Sequence, residues 1–304
     1  MKDSSFKKIK KIYLNFLKKQ EVLGAPFYDK LGQLNKFYTP VCNLIYKDYI
    51  SNKKKSLVIG LSGGQGSGKT TIAQILKLIL KNRFNLNVIS FSIDDFYKTL
   101  SQRKKMSKNI HKLFLTRGVP GTHDLRLLNN TFQCLSKKKF KSFNIPSFDK
   151  SNDDRKDKRN WNKIKKKPDI IIFEGWCVGA KHQTSNKLKK PLNLLEKMND
   201  KKMIWRKKVN NELKNQYKKI FRVINKLIFL EVPSFKYVYK WRLLQEKKLQ
   251  LASKSSITMS KIQIKNFVMY YERTTKQMIK DLKNKASVVI KLDKKHRLSN
   301  IKYN

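Results

Sequence analysis

What this chain lacks narrows the choices first. Its three cysteines, Cys42, Cys134 and Cys177, are scattered and odd in number, and no C-x-x-C pair occurs. They offer neither a zinc site nor a disulfide framework and point to a reducing compartment. No apolar run approaches the roughly 20 residues that a membrane-spanning helix needs. The amino terminus is rich in lysine but has no apolar core of the secretory type, and it lacks the arginines of an organelle transit peptide. A cytoplasmic location is expected, or the plastid stroma if the source is eukaryotic. No internal repeat is visible, which sets solenoids aside.

Acidic residues are also scarce. Twenty-one Asp and Glu stand against 71 Lys and Arg, a formal net charge of +50. Such an excess fits a polyanion partner. It also fits compositional drift, because it is carried mostly by Lys, with Asn and Ile common and Ala and Gly scarce, as AT-rich codons supply. Dedicated nucleic-acid surfaces lean on arginine forks. The compositional reading is adopted, and no specific nucleic-acid partner is expected.

What is present suits a folded α/β enzyme. The 304 residues, 39% hydrophobic and 11% aromatic, can bury a sizeable core. Phe6, Ile9, Ile12, Tyr13, Phe16 and Leu17 recur at helical spacing with lysines opposite. That stripe suits a helix packed on its own protein or one lying on a membrane surface, and the first is expected. Apolar runs at 57–62, 87–93, 169–173, 226–232 and 286–292 read as strands. Helices are expected after the first strand and at about 124–135, 192–225, 234–251 and 259–283, the last capped by Thr258 or Ser260. A charged loop fills 143–167. Strands alternating with helices predict a doubly wound parallel sheet of about five strands, of the P-loop type. The expected organisation is an N-terminal helical extension over 1–50 and a kinase domain over 51–304, with insertions at about 98–165 and 180–225.

Gly63-Gly64-Gln65-Gly66-Ser67-Gly68-Lys69-Thr70 fits G-x-x-x-x-G-K-[ST], between a strand and an amphipathic helix. Backbone N–H groups must turn inward around a phosphate, which demands positive φ and no Cβ in the way. The helix points its positive end at the anion. Lys69 reaches the outer phosphates, Thr70 offers its hydroxyl to Mg²⁺, and Thr71 completes the ATP-binding set. No Asn-Lys-x-Asp segment for guanine is present, which argues against a GTPase.

Carboxylates at strand ends face the ligand crevice of an open α/β sheet. Asp94, with Asp95 as alternate, is the candidate base for an alcohol nucleophile. Glu174, ending the strand at 169–173, is a candidate for holding the metal with Thr70 or orienting the hydroxyl. Trp176 suits a pocket wall. Arg117 offers a carboxylate a bidentate fork, and His123 and Asp124 of the same glycine-bearing loop are candidates to complete the acceptor site. Asp149, Lys150 and Ser151, followed by Arg155 and Arg159, form a further polar cluster with cations able to reach a γ-phosphate.

Together SGGQGSGKTT, SIDDFY, RGVPGTHDL, PSFDKS, IIFEGW, VNNEL, VYKWRLLQE and YYER resemble the D-glycerate 3-kinase family, within the larger group of phosphoribulokinase, uridine kinase and pantothenate kinase. The resemblance runs from about Leu57 to Leu292. It implies an ATP- and Mg²⁺-dependent kinase that makes 3-phosphoglycerate from D-glycerate, a photorespiratory step in photosynthetic organisms. It matches Asp94 to the group's base and Arg242 to a lid-helix arginine near the phosphates, and it puts Asp149 and Lys150 in the acceptor loop. The rivals are a P-loop kinase of another small alcohol, such as a nucleoside, pantothenate or a sugar acid, and a nucleic-acid binder switched by ATP. A monomer acting on a small hydroxy acid is expected.

Overall fold

The computed structural model describes residues 2–21, 26–53, 55–252 and 259–304. Among the described residues ten strands follow in chain order: β1 Leu57–Gly63, β2 Val88–Ser92, β3 Phe143–Ile145, β4 Phe148–Asp149, β5 Asp154–Arg155, β6 Asn162–Ile164, β7 Ile170–Gly175, β8 Lys226–Glu231, β9 Val288–Leu292 and β10 Leu298–Tyr303. Six form one sheet in the order β10-β9-β8-β1-β7-β2. Five of these run parallel, and β10 closes the β9 edge antiparallel. The expected parallel strands are all there. The addition is β10, whose mostly exposed LSNIKY sequence carries no apolar run and therefore no strand signal.

β1 is buried along all seven of its residues and β7 along all six. Parallel strands covered on both faces must read as unbroken apolar runs. The side-chain period of two then divides each strand between two cores. Leu57, Ile59 and Leu61 pack on the face covered by the helix Lys69–Phe84, while Val58 joins the opposite one.

The first 51 residues complete the first of these faces. Helix Lys2–Gln20 lies against Lys69–Phe84 and buries Ile9, Tyr13 and Leu17, three residues at i, i+4 and i+8. Its lysines at 8, 10, 11, 18 and 19 face water. The apolar stripe is spent inside the fold, as the packed-helix reading expected. Lys30–Gln33, a π-helical stretch Leu34–Tyr38 and Thr39–Ser51 follow, burying Leu34, Phe37, Val41 and Ile45. Tyr49 donates to Asp169 Oδ1 at 2.5 Å, and Lys226 pairs with Asp48 at 3.0 Å, which ties this layer to the N-terminal ends of two strands.

The opposite face is covered by Leu125–Ser136, by the helical run that starts at Ile204–Glu212, and by Lys261–Leu282. Ser260 caps the last of these in a reciprocal box with Gln263. The alternative cap, Thr258, lies outside the described residues. The segment expected as one charged loop instead contains two small hairpins, β3 with β6 and β4 with β5. Their strands are two or three residues long, too short for a hydrophobic period to register.

Because Leu17 is 1% exposed, Leu17→Ala should destabilise the whole protein by about 2–5 kcal/mol in a urea titration. A change within the error of the wild-type midpoint would mean that the first helix is not part of the cooperative unit.

Candidate active site

The C-terminal ends of β1, β7 and β2 open onto a cleft of about 930 Å³. β1 delivers the glycine loop and then the helix Lys69–Phe84. The loop turns through Gly66 and Gly68 at φ of +74° and +87°. A Cβ on Gly66 would sit 2.9 Å from the Trp241 backbone, so glycine is required both by the turn and by that close approach. Gly68 precedes the helix in a left-handed conformation and gives it no side-chain cap, leaving the helix N–H groups for an anion. Lys69 Nζ donates to Gly64 O at 2.9 Å, folding its side chain over the loop. Ser67 Oγ and both amide atoms of Gln65 are buried with no hydrogen-bond partner. Positive-φ glycines, an uncapped helix start and unsatisfied polar atoms fit a phosphate group.

Glu174 lies on β7, in register with Leu61 of β1 and Ser92 of β2. Thr70 Oγ1 donates to Glu174 Oε1 at 2.8 Å. These are hard oxygen donors of the kind that hold Mg²⁺. Burial pushes the Glu174 carboxyl above its ordinary value, a rise that the nearby Lys69 ammonium only partly offsets. Burial also pulls Lys69 below the usual lysine range, against the opposing pull of Glu174 and Asp94.

The two acids after β2 have different work. Asp95 closes a capping box with Ser92, its Oδ2 accepting from Ser92 N–H at 3.0 Å, and burial raises its carboxyl. Asp94 accepts from the Tyr97 hydroxyl at 2.8 Å and lies 3.4 Å from Lys150 Nζ. Burial pushes Asp94 upward, but Lys150, His123 where it is charged at low pH, the Tyr97 hydroxyl and Lys69 together outweigh it and hold the carboxyl below its ordinary 3.8. Two neighbouring carboxyls, Asp94 and Glu174, are thus driven in opposite directions.

The loop at 117–124 is bolted to the cleft wall. Trp176 Nε1 donates to Gly118 O at 2.9 Å, and the Tyr271 hydroxyl donates to Arg117 O at 3.1 Å. Gly118, at φ +125°, has no room for a Cβ, which would collide with that Tyr271 hydroxyl. Arg117 itself lines the cleft, paired with Asp153 and donating to Lys150 O at 3.3 Å.

Of the sequence candidates, Gln65, Gly66, Gly68, Lys69, Thr70, Thr71, Asp94, Asp95, Arg117, Lys150, Glu174, Trp176 and Arg242 line this one cleft. Three substrate candidates do not. His123 is 1% exposed and stacks on the inner side of Tyr97, with Nδ1 2.6 Å from the Tyr217 hydroxyl; burial pushes it down to about 3, so it is neutral. Asp124 caps the helix Leu125–Ser136 and pairs with Arg155 at 3.1 Å. Asp149 accepts from Ser151 and Asn152 within its own turn. Among the arginines Arg155, Arg159 and Arg242, Arg242 is the one in the cleft, paired with Glu246 and lying over the Phe267 ring at 5.8 Å. Arg155 is committed to Asp124 and Tyr97 O, and Arg159 is exposed beside Asp157.

Sequence reasoning passed over Tyr97, Asp153, Phe267, Tyr271, Trp241 and His296, which also line the cleft. Tyr97 and Tyr271 fall inside the quoted SIDDFY and YYER segments, where a signal existed. His296 comes from the turn between β9 and β10 and stacks on Trp241 at 4.3 Å, a long-range contact with no local trace.

Comparison with known proteins agrees with this geometry. Residues 58–237 match the phosphoribulokinase/uridine kinase family. The chain is 36% identical over 225 residues to the "Uncharacterized kinase mug58" of Schizosaccharomyces pombe, covering 71% of this chain and 79% of that one. It is 30% identical over 223 residues to the chloroplastic D-glycerate 3-kinase of Arabidopsis thaliana, covering 71% of this chain and 46% of that one, so it spans less than half of that protein. The solved D-glycerate 3-kinase of Cryptococcus neoformans shares the fold at a TM-score of 0.72 and 23% identity, over 88% of this chain and 99% of that one.

Since Asp124 caps a helix and pairs with Arg155 outside the cleft, Asp124→Ala should cost about 1–3 kcal/mol of stability by chemical denaturation. Nucleotide affinity, measured by fluorescence titration, should stay within about twofold. A stable variant with lost nucleotide binding would put Asp124 in the site after all.

Proposed function

This chain belongs to the phosphoribulokinase/uridine kinase family, and we propose that within it the protein phosphorylates D-glycerate to 3-phosphoglycerate. It is a phosphotransferase with an alcohol acceptor; the acceptor is the proposal. The observation that carries the choice is the pairing of an ionised carboxylate with a cationic wall. Asp94 is held ionised in the cleft, and Arg117 and Lys150 line the same space. A small hydroxy acid offers a hydroxyl to the first and a carboxylate to the second.

In this reading the acceptor hydroxyl oxygen bonds to the γ-phosphorus of ATP while the bond from that phosphorus to the bridging β–γ oxygen breaks. The hydroxyl proton passes to Asp94, and ADP leaves with the bridging oxygen. Lys69, the loop N–H groups and the helix N-terminus neutralise the outer phosphates, and Arg242 does so from the facing helix. Thr70 and Glu174 would hold Mg²⁺, which supplies charge neutralisation across the phosphates. Most of the acceleration is positioning and charge, with no covalent intermediate on the protein.

The test is release of ADP with MgATP and D-glycerate, with L-glycerate, uridine and pantothenate alongside. Turnover on D-glycerate is expected, and turnover on uridine or pantothenate instead would move the acceptor class. Lys69→Ala should abolish turnover with an unchanged circular dichroism spectrum. Asp94→Asn should lower kcat by about 10²–10⁴-fold with nucleotide affinity retained; a loss under tenfold would remove Asp94 as the base.

The acid limb of the pH profile belongs to Glu174. In the metal-free enzyme its carboxyl is raised above the ordinary 4.5, so the charged form that would receive Mg²⁺ is lost as pH falls through that raised value, whereas Asp94 stays ionised to lower pH. Glu174→Gln should therefore remove the acid limb of kcat/KM at a reduced rate. An acid limb that persists unmoved in this variant would assign it elsewhere.

A further inference from the structure

Arg103 lies outside the cleft lining, on the helix Leu100–Asn109, and is 1% exposed. The neighbouring Lys104 and Lys105 face water. Its guanidinium is bonded in three directions. Nε donates to Lys98 O at 3.3 Å, Nη1 to Leu115 O at 2.7 Å, and Nη2 to both Asp153 O and Asp153 Oδ2, the latter at 3.0 Å. These acceptors come from three separate segments: the chain that leaves Tyr97, the loop that leads into Arg117, and the β4–β5 turn. A buried charge is tolerated when its hydrogen bonds are met, and here they are met by carbonyls and one carboxylate. Only a planar fork with five N–H groups can reach all three at once; a lysine ammonium cannot span them.

The β4–β5 turn in its turn holds the acceptor side. Asp153 sits at φ +51°, in the left-handed region that aspartate enters more readily than most residues. Its other carboxylate oxygen, Oδ1, pairs with Arg117, and Lys150 of the same turn gives its carbonyl to Arg117 and its ammonium to Asp94. The candidate carboxylate binder and the candidate base therefore both lean on one turn, and that turn is anchored by Arg103.

We infer that Arg103, acting through Asp153, is the positioning residue of the acceptor half of the site, setting Arg117 and Lys150 for an anionic hydroxy acid without touching either substrate. This rests on the acceptor reading above. The nucleotide half, built on β1 and the helix Lys69–Phe84, shares none of its bonds with Arg103.

The test uses the full chain as Arg103→Lys and Asp153→Asn, with steady-state kinetics, nucleotide titration, and hydrogen exchange without substrate. The expected result is a rise of about tenfold or more in the KM for D-glycerate in both variants, with nucleotide affinity changed less than about twofold. Exchange should quicken together at 98–99, 115–117 and 150–154 and stay unchanged through 69–84. An unchanged glycerate KM accompanied only by a lower melting temperature would make Arg103 a structural residue and overturn the inference. Nucleotide affinity falling in step with that of glycerate would do the same. If Arg103→Lys does not fold, Asp153→Asn, on the half-exposed turn, decides alone. If the wild-type chain does not phosphorylate glycerate, the acceptor reading fails by itself. The exchange pattern then decides the positioning role: coordinated loosening of the three segments sustains it, and loosening of none, or of the P-loop helix as well, rejects it.

Discussion

An ammonium set among carboxylates at the mouth of a parallel sheet is the constraint from which the rest follows. Burial pulls on the partly buried Lys69 ammonium, and the charges of Glu174 and Asp94 oppose that pull. Those three groups converge because β1, β7 and β2 are adjacent and parallel, so their C-terminal ends share one edge. The apolar faces of the strands hold that edge in place, and the helices on each side exist to cover them. Polar chemistry at the rim and hydrophobic burial beneath it are one design, since either face left open would free the strand ends.

The cleft has two halves with different physics. The nucleotide half is backbone: glycines at positive φ, an uncapped helix and one folded lysine. The side chains it adds to that backbone are Lys69, Thr70, Glu174 and Arg242. The acceptor half is made of side chains tied in series, from Arg103 to Asp153 to Arg117, and from Lys150 to Asp94. Such a series transmits a defect at one end to the other. It also separates the roles of the two basic residue types. Lysine supplies the exposed surplus behind the +50 charge, while the multiply bonded positions at 103, 117, 206 and 273 are arginine, where a fork has several acceptors to satisfy.

Much of this was legible in the sequence, for local reasons. The loop at 63–70 reads directly because glycine spacing and the following lysine are contiguous. β1 and β7 read as apolar runs because both faces are buried. Asp94 and Glu174 read as strand-end acids. What failed to read was non-local. β10 is polar and takes its place from pairing with β9. His123 looked like a pocket residue beside Arg117, yet stacking on Tyr97 turns it inward. Asp149 and Asp124 looked like substrate ligands because short polar clusters look alike whether they bind a ligand or cap a turn. Asp153 was hidden in a charged stretch, and only the fold brings Arg103 to it from fifty residues away.

The proposed reaction brings the primary hydroxyl of D-glycerate to Asp94 while Arg117 holds its carboxylate. Proton-coupled phosphorus NMR of the product made from MgATP and D-glycerate tests it most directly. The expected product shows a phosphorus coupled to the two protons of a CH₂ group, as in 3-phosphoglycerate. A phosphorus coupled to the single C2 proton, or the absence of any phosphorylated glycerate while nucleotide is bound, would contradict it.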